Sequence, residues 1–144
     1  MCIRDRLIKN PFNFGTATIS TAATLKATPA LSFSSTTSSF QVDELITQGS
    51  GATLAQAFVV EVDSGTGYVH YLQNSKTGYG NFVTGSAVVG ATSGAQGTPK
   101  STANAFLINP EVDIHSGDVI FLENRNPIDR TASQIEDIKI IIEF

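Results

Sequence analysis

The sequence predicts an all-β protein, in which a small antiparallel β-barrel or sandwich module is inserted in a β-rich terminal domain. Val, Ile, Thr, Phe and Tyr dominate the apolar runs, and these residue types favour strands. Glycine-containing turns separate the short apolar runs at intervals of about ten residues, which is typical of small antiparallel barrels and sandwiches. Few Leu, Lys and Glu residues are present from which long amphipathic helices could form.

The clearest strands are predicted in the middle of the chain. Residues 40–48 (FQVDELITQ) and 55–63 (AQAFVVEVD) are strand candidates, the second with alternating apolar positions. The turn SGTG at 64–67 supplies the glycines that a hairpin needs, and residues 68–74 return as a strand. Two further short strands are expected within 81–90, separated at Thr84-Gly85.

The flanking segments are weaker in pattern. Asn10-Pro11 indicates the end of a strand entering a loop, and SFSSTTSS at 32–39 fits either an edge strand or a loop. Residues 119–124 (VIFLEN) alternate as a strand does. At the end of the chain, Ile138, Ile140, Ile142 and Phe144 share one face at period two, so a terminal strand is expected, with a single helical turn possible at 131–135.

These patterns divide the chain into four parts. Residues 1–6 (MCIRDR) resemble the read-through of a transposon-end sequencing adapter, a recurrent contaminant of open reading frames on metagenomic contigs, so we expect them to be foreign and the natural protein to continue upstream of Leu7. Residues 7–39 and 105–144 are predicted to form the β-rich core, 40–90 the inserted barrel-like module, and 91–104 a flexible loop.

Composition excludes several classes of function. The net charge of −4 and the lack of a Lys/Arg cluster argue against nucleic-acid binding. No segment approaches the roughly 20 apolar residues that span a bilayer. Cys2 is the only cysteine, and it falls within the adapter-like segment, so neither a disulfide framework nor a thiol nucleophile is expected.

Catalytic and metal-binding patterns are not found either. His70 and His115 occur in no zinc-binding motif, and no cofactor is expected. His70 is predicted to be a half-exposed strand residue. Ser116 lies between His115 and Asp118, but three such close neighbours do not converge on one line of proton transfer. Asp118 and Glu123 are five residues apart on a predicted strand, hence on opposite faces and about 16 Å apart.

The C-terminal run HSGDVIFLENRNPIDRTASQIEDIKIIIEF resembles the carboxyl end of the baseplate wedge subunit of contractile-tailed phages, of the T-even type and its marine relatives. The resemblance covers about 30 terminal residues closely and extends more weakly over 7–18. The matching residues are Asn10, Pro11, His115, Ser116, Gly117, Glu123, Asn124, Arg125, Pro127, Ile128 and residues 134–144.

This resemblance implies a structural virion protein without enzymatic activity. It would be assembled in the host cytoplasm and located in the tail baseplate, where it would hold neighbouring wedge proteins together and self-associate as a dimer in its full-length form. No nucleic-acid or membrane partner is implied. The resemblance makes Arg125 a candidate interface residue, paired with Glu123 or with a carboxylate of a neighbour.

Two alternatives from other classes remain open. The first is a carbohydrate- or receptor-binding tail module whose surface would include Tyr68, Tyr71 and Tyr79, since aromatic side chains stack on sugars. The second is a tail-associated hydrolase, which would need His115, Asp118 and Glu123 to converge.

Overall fold

The computed structural model describes residues 3–101 and 106–125, with the backbone alone for 3–5 and 123–125. This part of the chain is all-β, as the sequence predicts, and its only helical element is a 3₁₀ turn at Gly51–Thr53. The strands are β1 Ile3–Lys9, β2 Phe12–Asn13, β3 Ala30–Leu31, β4 Phe33–Thr36, β5 Leu45–Gln48, β6 Ala55–Val62, β7 Val69–Leu72, β8 Val88–Gly90, β9 Gln96–Pro99, β10 Leu107–Ile108, β11 Val112–Asp113 and β12 Asp118–Arg125.

The chain forms two compact units. The first contains β1 and β12, which pair with each other, and the second is Asn10–Gly117. The second unit contains the two-stranded pair β2–β11 and an eight-stranded sheet in the order β10-β3-β7-β6-β5-β8-β9-β4. The neighbours in this sheet are all antiparallel.

The eight-stranded sheet is strongly curled. Only Ser32 separates β3 from β4 in the chain, yet β3 pairs with β7 while β4 pairs with β9 at the far end of the order. At Ser32 itself, the N–H donates to the Phe106 carbonyl (2.7 Å) and the carbonyl accepts from the Lys100 N–H (3.0 Å). Because one continuous segment belongs to both ends of the order, the sheet bends round on itself around its core.

The β6–β7 hairpin follows its predicted turn chemistry. Gly67 has φ +71°, which a residue with a Cβ adopts only with strain, and its N–H donates to the Asp63 carbonyl (2.8 Å). Beyond the turn, Val62 pairs with Val69, and a bulge between Val59 and Glu61 shifts the register. The hairpin predicted for this segment is therefore confirmed.

The interior of the curled sheet takes small and β-branched side chains. On β6 the buried residues are Ala55, Ala57 and Val59, whereas Phe58 and Val60 are partly exposed on the other face. The largest fully buried side chains are Leu31, Ile46, Val59, Val69, Val88 and Pro99. Two aromatic pairs extend this core: Phe33 stacks on Phe40, and Tyr71 meets Phe82 edge-on, both with ring centroids 5.3 Å apart.

The structure differs from the predicted loop at 91–104. Gln96–Pro99 is strand β9, which pairs with both β8 and β4. Its small residues fit this position because the Phe33 ring packs against Gly97. A Cβ added to Gly97 would be only 2.6 Å from a ring carbon of Phe33. The lack of a hydrophobic pattern therefore reflects close packing between strands, not freedom of the backbone.

Two further differences concern element boundaries. Residues 81–83, predicted as a strand, have no regular secondary structure, and Phe82 still reaches the core. The division at residue 40 is also not observed, since β3 and β4 belong to the same sheet as the strands of 40–90. SFSSTTSS does contain an edge strand, β4, because Phe33–Thr36 pairs with β9 at the end of the sheet order.

The ends of the chain bear on the remaining predictions. Ile3–Arg6, set aside as adapter-derived, pair within β1 with residues 122–125. The predicted terminal strand over 138–144, the helical turn at 131–135 and Pro127 lie outside the described residues.

Candidate functional site

The His115-Ser116-Gly117 signature forms a tight turn that starts at Asp113. The Asp113 side chain accepts from the His115 N–H (Oδ1, 2.8 Å), and the Asp113 carbonyl accepts from the Ser116 hydroxyl (2.6 Å) and the Ser116 N–H (3.1 Å). Gly117 closes the turn at φ +81°. Side chains of Asp and Ser stabilise turns by such local bonds, so the signature specifies backbone shape.

The same serine joins the two segments on which the predicted resemblance rests. The Phe12 N–H donates to Ser116 Oγ at 2.8 Å, although the two residues are 104 positions apart. Phe12 also pairs with Asp113 in the β2–β11 ladder, and the Phe14 N–H donates to the Glu111 carbonyl (2.9 Å). The loop after Asn10-Pro11 is thereby fixed beside the His115–Gly117 turn.

Replacing Ser116 tests this junction. We expect Ser116→Ala to lower the free energy of unfolding by about 1–2 kcal/mol, because the partly buried Phe12 N–H loses its acceptor. Amide hydrogen exchange should quicken at Phe12. The control is Ser34→Ala, which removes one exposed hydroxyl bond to the Thr98 carbonyl and should change stability by less than about 0.5 kcal/mol. Equal losses in the two variants would contradict a structural role for Ser116.

The geometry at Ser116 does not support a catalytic triad. Its hydroxyl proton points to the Asp113 carbonyl, and its lone pair accepts from Phe12, so its hydrogen bonds serve the fold. The described part of the chain holds no group of three or more His, Cys, Asp or Glu side chains that fits a metal ion.

His70 and the tyrosines lie differently from the sequence predictions. His70 is buried, not half-exposed, and its Nδ1 is 3.3 Å from the Thr28 carbonyl. Tyr71 is buried against Phe82, and burial raises the pKa of its hydroxyl. Tyr79, by contrast, is 73% exposed. The three tyrosines do not form the single sugar-stacking surface proposed for the carbohydrate-binding alternative.

The β1–β12 ribbon carries an unusual run of exposed apolar side chains. Val119, Ile120, Phe121 and Leu122 are each between 58% and 64% exposed. Successive residues of a strand point to opposite faces, so β12 presents apolar side chains on both of its faces. On β1, Leu7 pairs with Phe121 and is 59% exposed. Glu123, Asn124 and Arg125 continue β12, but their side chains lie outside the described part.

Glu44 and Gln48 are buried polar side chains that connect separate segments of the second unit. The sequence analysis did not single them out. Glu44 is 3% exposed and its carboxylate accepts four hydrogen bonds: from the Gln41 N–H (2.7 Å), the Ser93 hydroxyl (2.8 Å), the Ser93 N–H (2.9 Å) and the Thr92 N–H (3.1 Å). Burial by itself would raise the pKa of Glu44, but the bonds from Ser93, Gln41 and Thr92 outweigh it and lower the pKa. Gln48 is 2% exposed. Its amide nitrogen donates to the carbonyls of Val83 and Ser86, and its amide oxygen accepts from the Val83 N–H.

A charged group lies near the β6–β7 turn. Lys26 Nζ contacts Glu61 Oε1 (3.0 Å) and Asp63 Oδ2 (3.4 Å), and the hydrogen bond to Glu61 is the main cause of the raised pKa of Lys26. The N–H groups of Gly65 and then Thr66 lower the pKa of Asp63 to about 2. Asp63 is therefore ionised at neutral pH.

Comparison with known proteins adds no assignment: no family model, no curated protein and no solved structure matches the chain. The described residues contain no helix long and apolar enough to cross a membrane. The resemblance to the baseplate wedge family thus stays a prediction from the C-terminal signature.

Proposed function

We propose that this chain is a structural protein of a contractile phage tail, a baseplate wedge component that holds neighbouring baseplate subunits together. The observation that supports the proposal best is strand β12, where the four consecutive apolar residues Val119, Ile120, Phe121 and Leu122 are more than half exposed. Exposed apolar runs of this kind mark surfaces that bind a partner, because their burial removes apolar area from water.

The size of this gain can be gauged from the side chains. Full burial of a Val, Leu, Ile or Phe side chain contributes about 1.5–3 kcal/mol. The ribbon exposes five such residues: Leu7, Val119, Ile120, Phe121 and Leu122. A neighbouring wedge subunit that offers an apolar strand or sheet face is the occupant we propose.

The signature residues support the same assignment. Glu123, Asn124 and Arg125 belong to the strand that carries the apolar run, and His115–Gly117 form the turn that precedes it in the chain. An Arg beside an apolar patch is typical of residues that dominate interface energetics. Under this proposal Arg125 pairs with a carboxylate at the rim of the contact.

Binding to the proteins encoded by the genes adjacent to this one tests the proposal. We expect Val119→Ser to weaken binding about tenfold or more, because it replaces two methyl groups of the exposed apolar run with a hydroxyl group. Arg125→Ala should cost roughly 2 kcal/mol of binding free energy. The control is Val42→Ser, in which a valine of the second unit with similar exposure (55% against 58%) is changed and binding should be unaltered.

Isothermal titration or quantitative co-purification would measure these effects. Failure of the wild-type chain to bind any product of the adjacent tail genes would refute the proposal. Equal binding by the Val119 and Val42 variants would show that the ribbon is not part of the contact. A contig in which this gene lies among host metabolic genes would also overturn the assignment.

A further inference from the structure

A cleft of about 230 Å³ opens in the second unit between the segment that follows β4 and the β6–β7 turn. The polar lining consists of one carboxylate, Asp63, and the hydroxyl side chains of Thr36, Ser38, Ser39 and Ser64. Hydroxyls both donate and accept hydrogen bonds, whereas an ionised carboxylate only accepts.

The carboxylate is held in place before any ligand arrives. Asp63 Oδ1 accepts from the N–H groups of Gly65 (2.8 Å) and Thr66 (3.3 Å). Its Oδ2 contacts Lys26 Nζ at 3.4 Å, which is long for a hydrogen bond, and so keeps acceptor capacity for a ligand hydroxyl. A charged acceptor makes stronger hydrogen bonds than a neutral one.

The other wall is apolar. Phe40 and Val69 line the cleft and are buried in the core, and Val62 adds a partly buried side chain next to Asp63. Small-molecule sites combine such apolar walls with a few fixed polar groups. A sugar ring has matching features, because it presents C–H groups on its faces and hydroxyl groups around its rim.

Other ligand classes fit less well. Asp63 would repel a phosphate or another anion, and Lys26 is already paired with Glu61 and Asp63. A metal ion would find one carboxylate among hydroxyls, and no metal-binding group of three His, Cys, Asp or Glu residues occurs in the described chain. The volume also lies below the roughly 300–1,000 Å³ of sites for drug-sized molecules, which limits the ligand to about one ring.

We propose that this cleft binds one neutral sugar ring, with Asp63 as the principal acceptor of ligand hydroxyls. Binding of a neutral glycan is a further activity that does not depend on the assembly role of the β1–β12 ribbon. It also differs from a tyrosine stacking surface, since none of the three tyrosines lines the cleft.

The test is an amide NMR titration of the whole chain with neutral hexoses, N-acetylhexosamines and a uronic acid at millimolar concentrations. We expect saturable shifts at Ser39, Ser64, Gly65 and Gly67 with at least one neutral sugar, and weaker binding of the uronic acid, which Asp63 repels. Asp63→Asn keeps an acceptor for the turn but loses the charge, and should weaken binding about tenfold.

The matched control is Glu61→Gln. Glu61 also pairs with Lys26 but does not line the cleft, so this variant should bind as the wild type does. Thr36→Val removes only a hydroxyl from an exposed strand position, keeps the fold and should weaken binding about threefold. No saturable shift with any sugar, shifts centred elsewhere, or equal binding by the Asp63 and Glu61 variants would overturn the proposal.

Discussion

Glu44→Gln is expected to lower the free energy of unfolding by about 3 kcal/mol, although the two side chains have almost the same shape. The amide nitrogen would replace one carboxylate oxygen and would face at least one backbone N–H donor in place of accepting from it. The carboxylate is closely packed against Gly90, where an added Cβ would be only 2.7 Å from either oxygen. Urea denaturation at neutral pH measures the loss.

The pH dependence of the same variant has a definite sign. The pKa of Glu44 in the folded protein is lowered from its ordinary value of 4.5, so the unfolded chain takes up a proton more readily than the folded one. Its contribution to stability is therefore complete above pH 4.5 and is lost as the pH falls through the folded pKa. We expect the difference in stability between wild type and Glu44→Gln to shrink over that range.

Glu61→Gln is the control for this prediction. Glu61 is an exposed carboxylate paired with Lys26, and its loss should cost less than about 1 kcal/mol. If Glu44→Gln were no more destabilising than Glu61→Gln, the four hydrogen bonds would not be what holds the turn at Thr92-Ser93 to the segment before β5.

The sequence predicted those elements whose local chemistry decides their structure. The β6–β7 hairpin is one, because an Asp-Ser-Gly-Thr-Gly segment between two alternating runs leaves few other conformations. Asn10-Pro11 is another: β1 ends at Lys9 immediately before it, and Asn10 adopts φ +51°. In both cases the deciding interactions lie within a few residues of each other.

Elements that depend on distant partners could not be predicted in this way. β9 has no hydrophobic pattern and exists because β8 and β4 supply hydrogen bonds on both sides. Residues 81–83 show the reverse case, since their apolar residues predicted a strand but Gln48 takes the Val83 backbone hydrogen bonds that a neighbouring strand would need. Propensity yields to tertiary context in both segments.

The candidate site shows the same limit. The signature residues at 10–11 and 115–117 could be found in the sequence, but the bond from Phe12 to Ser116 that joins them is visible only in the fold. Glu44 gave no signal, because nothing in the local sequence distinguishes a buried carboxylate among backbone N–H groups from a solvated one. The exposure of Val119–Leu122 was also unexpected, since an apolar run usually predicts a buried strand.

Gln48→Ala is expected to lower the free energy of unfolding by about 3–4 kcal/mol. The variant removes three hydrogen bonds, to the Val83 carbonyl (2.8 Å), the Ser86 carbonyl (2.6 Å) and the Val83 N–H (2.7 Å), and it leaves a cavity at a position that is 2% exposed. The loop it releases carries Phe82, which packs edge-on against Tyr71 in the core. Gln41→Ala, at an exposed position, is the control and should change stability by less than about 0.5 kcal/mol.

The isosteric variant Gln48→Glu separates hydrogen bonding from packing. It fills the cavity but places a carboxylate oxygen against the carbonyls of Val83 and Ser86, so the folded state favours the protonated acid. A folded pKa above the unfolded value makes this variant more stable as the pH falls, a slope opposite in sign to that of Glu44. Urea denaturation of the wild type and of Gln48→Glu between neutral and mildly acidic pH would measure how the stability of each changes with pH. If Gln48→Glu instead tracked the wild type at every pH, the Gln48 amide would not be the group that orders the loop around Phe82.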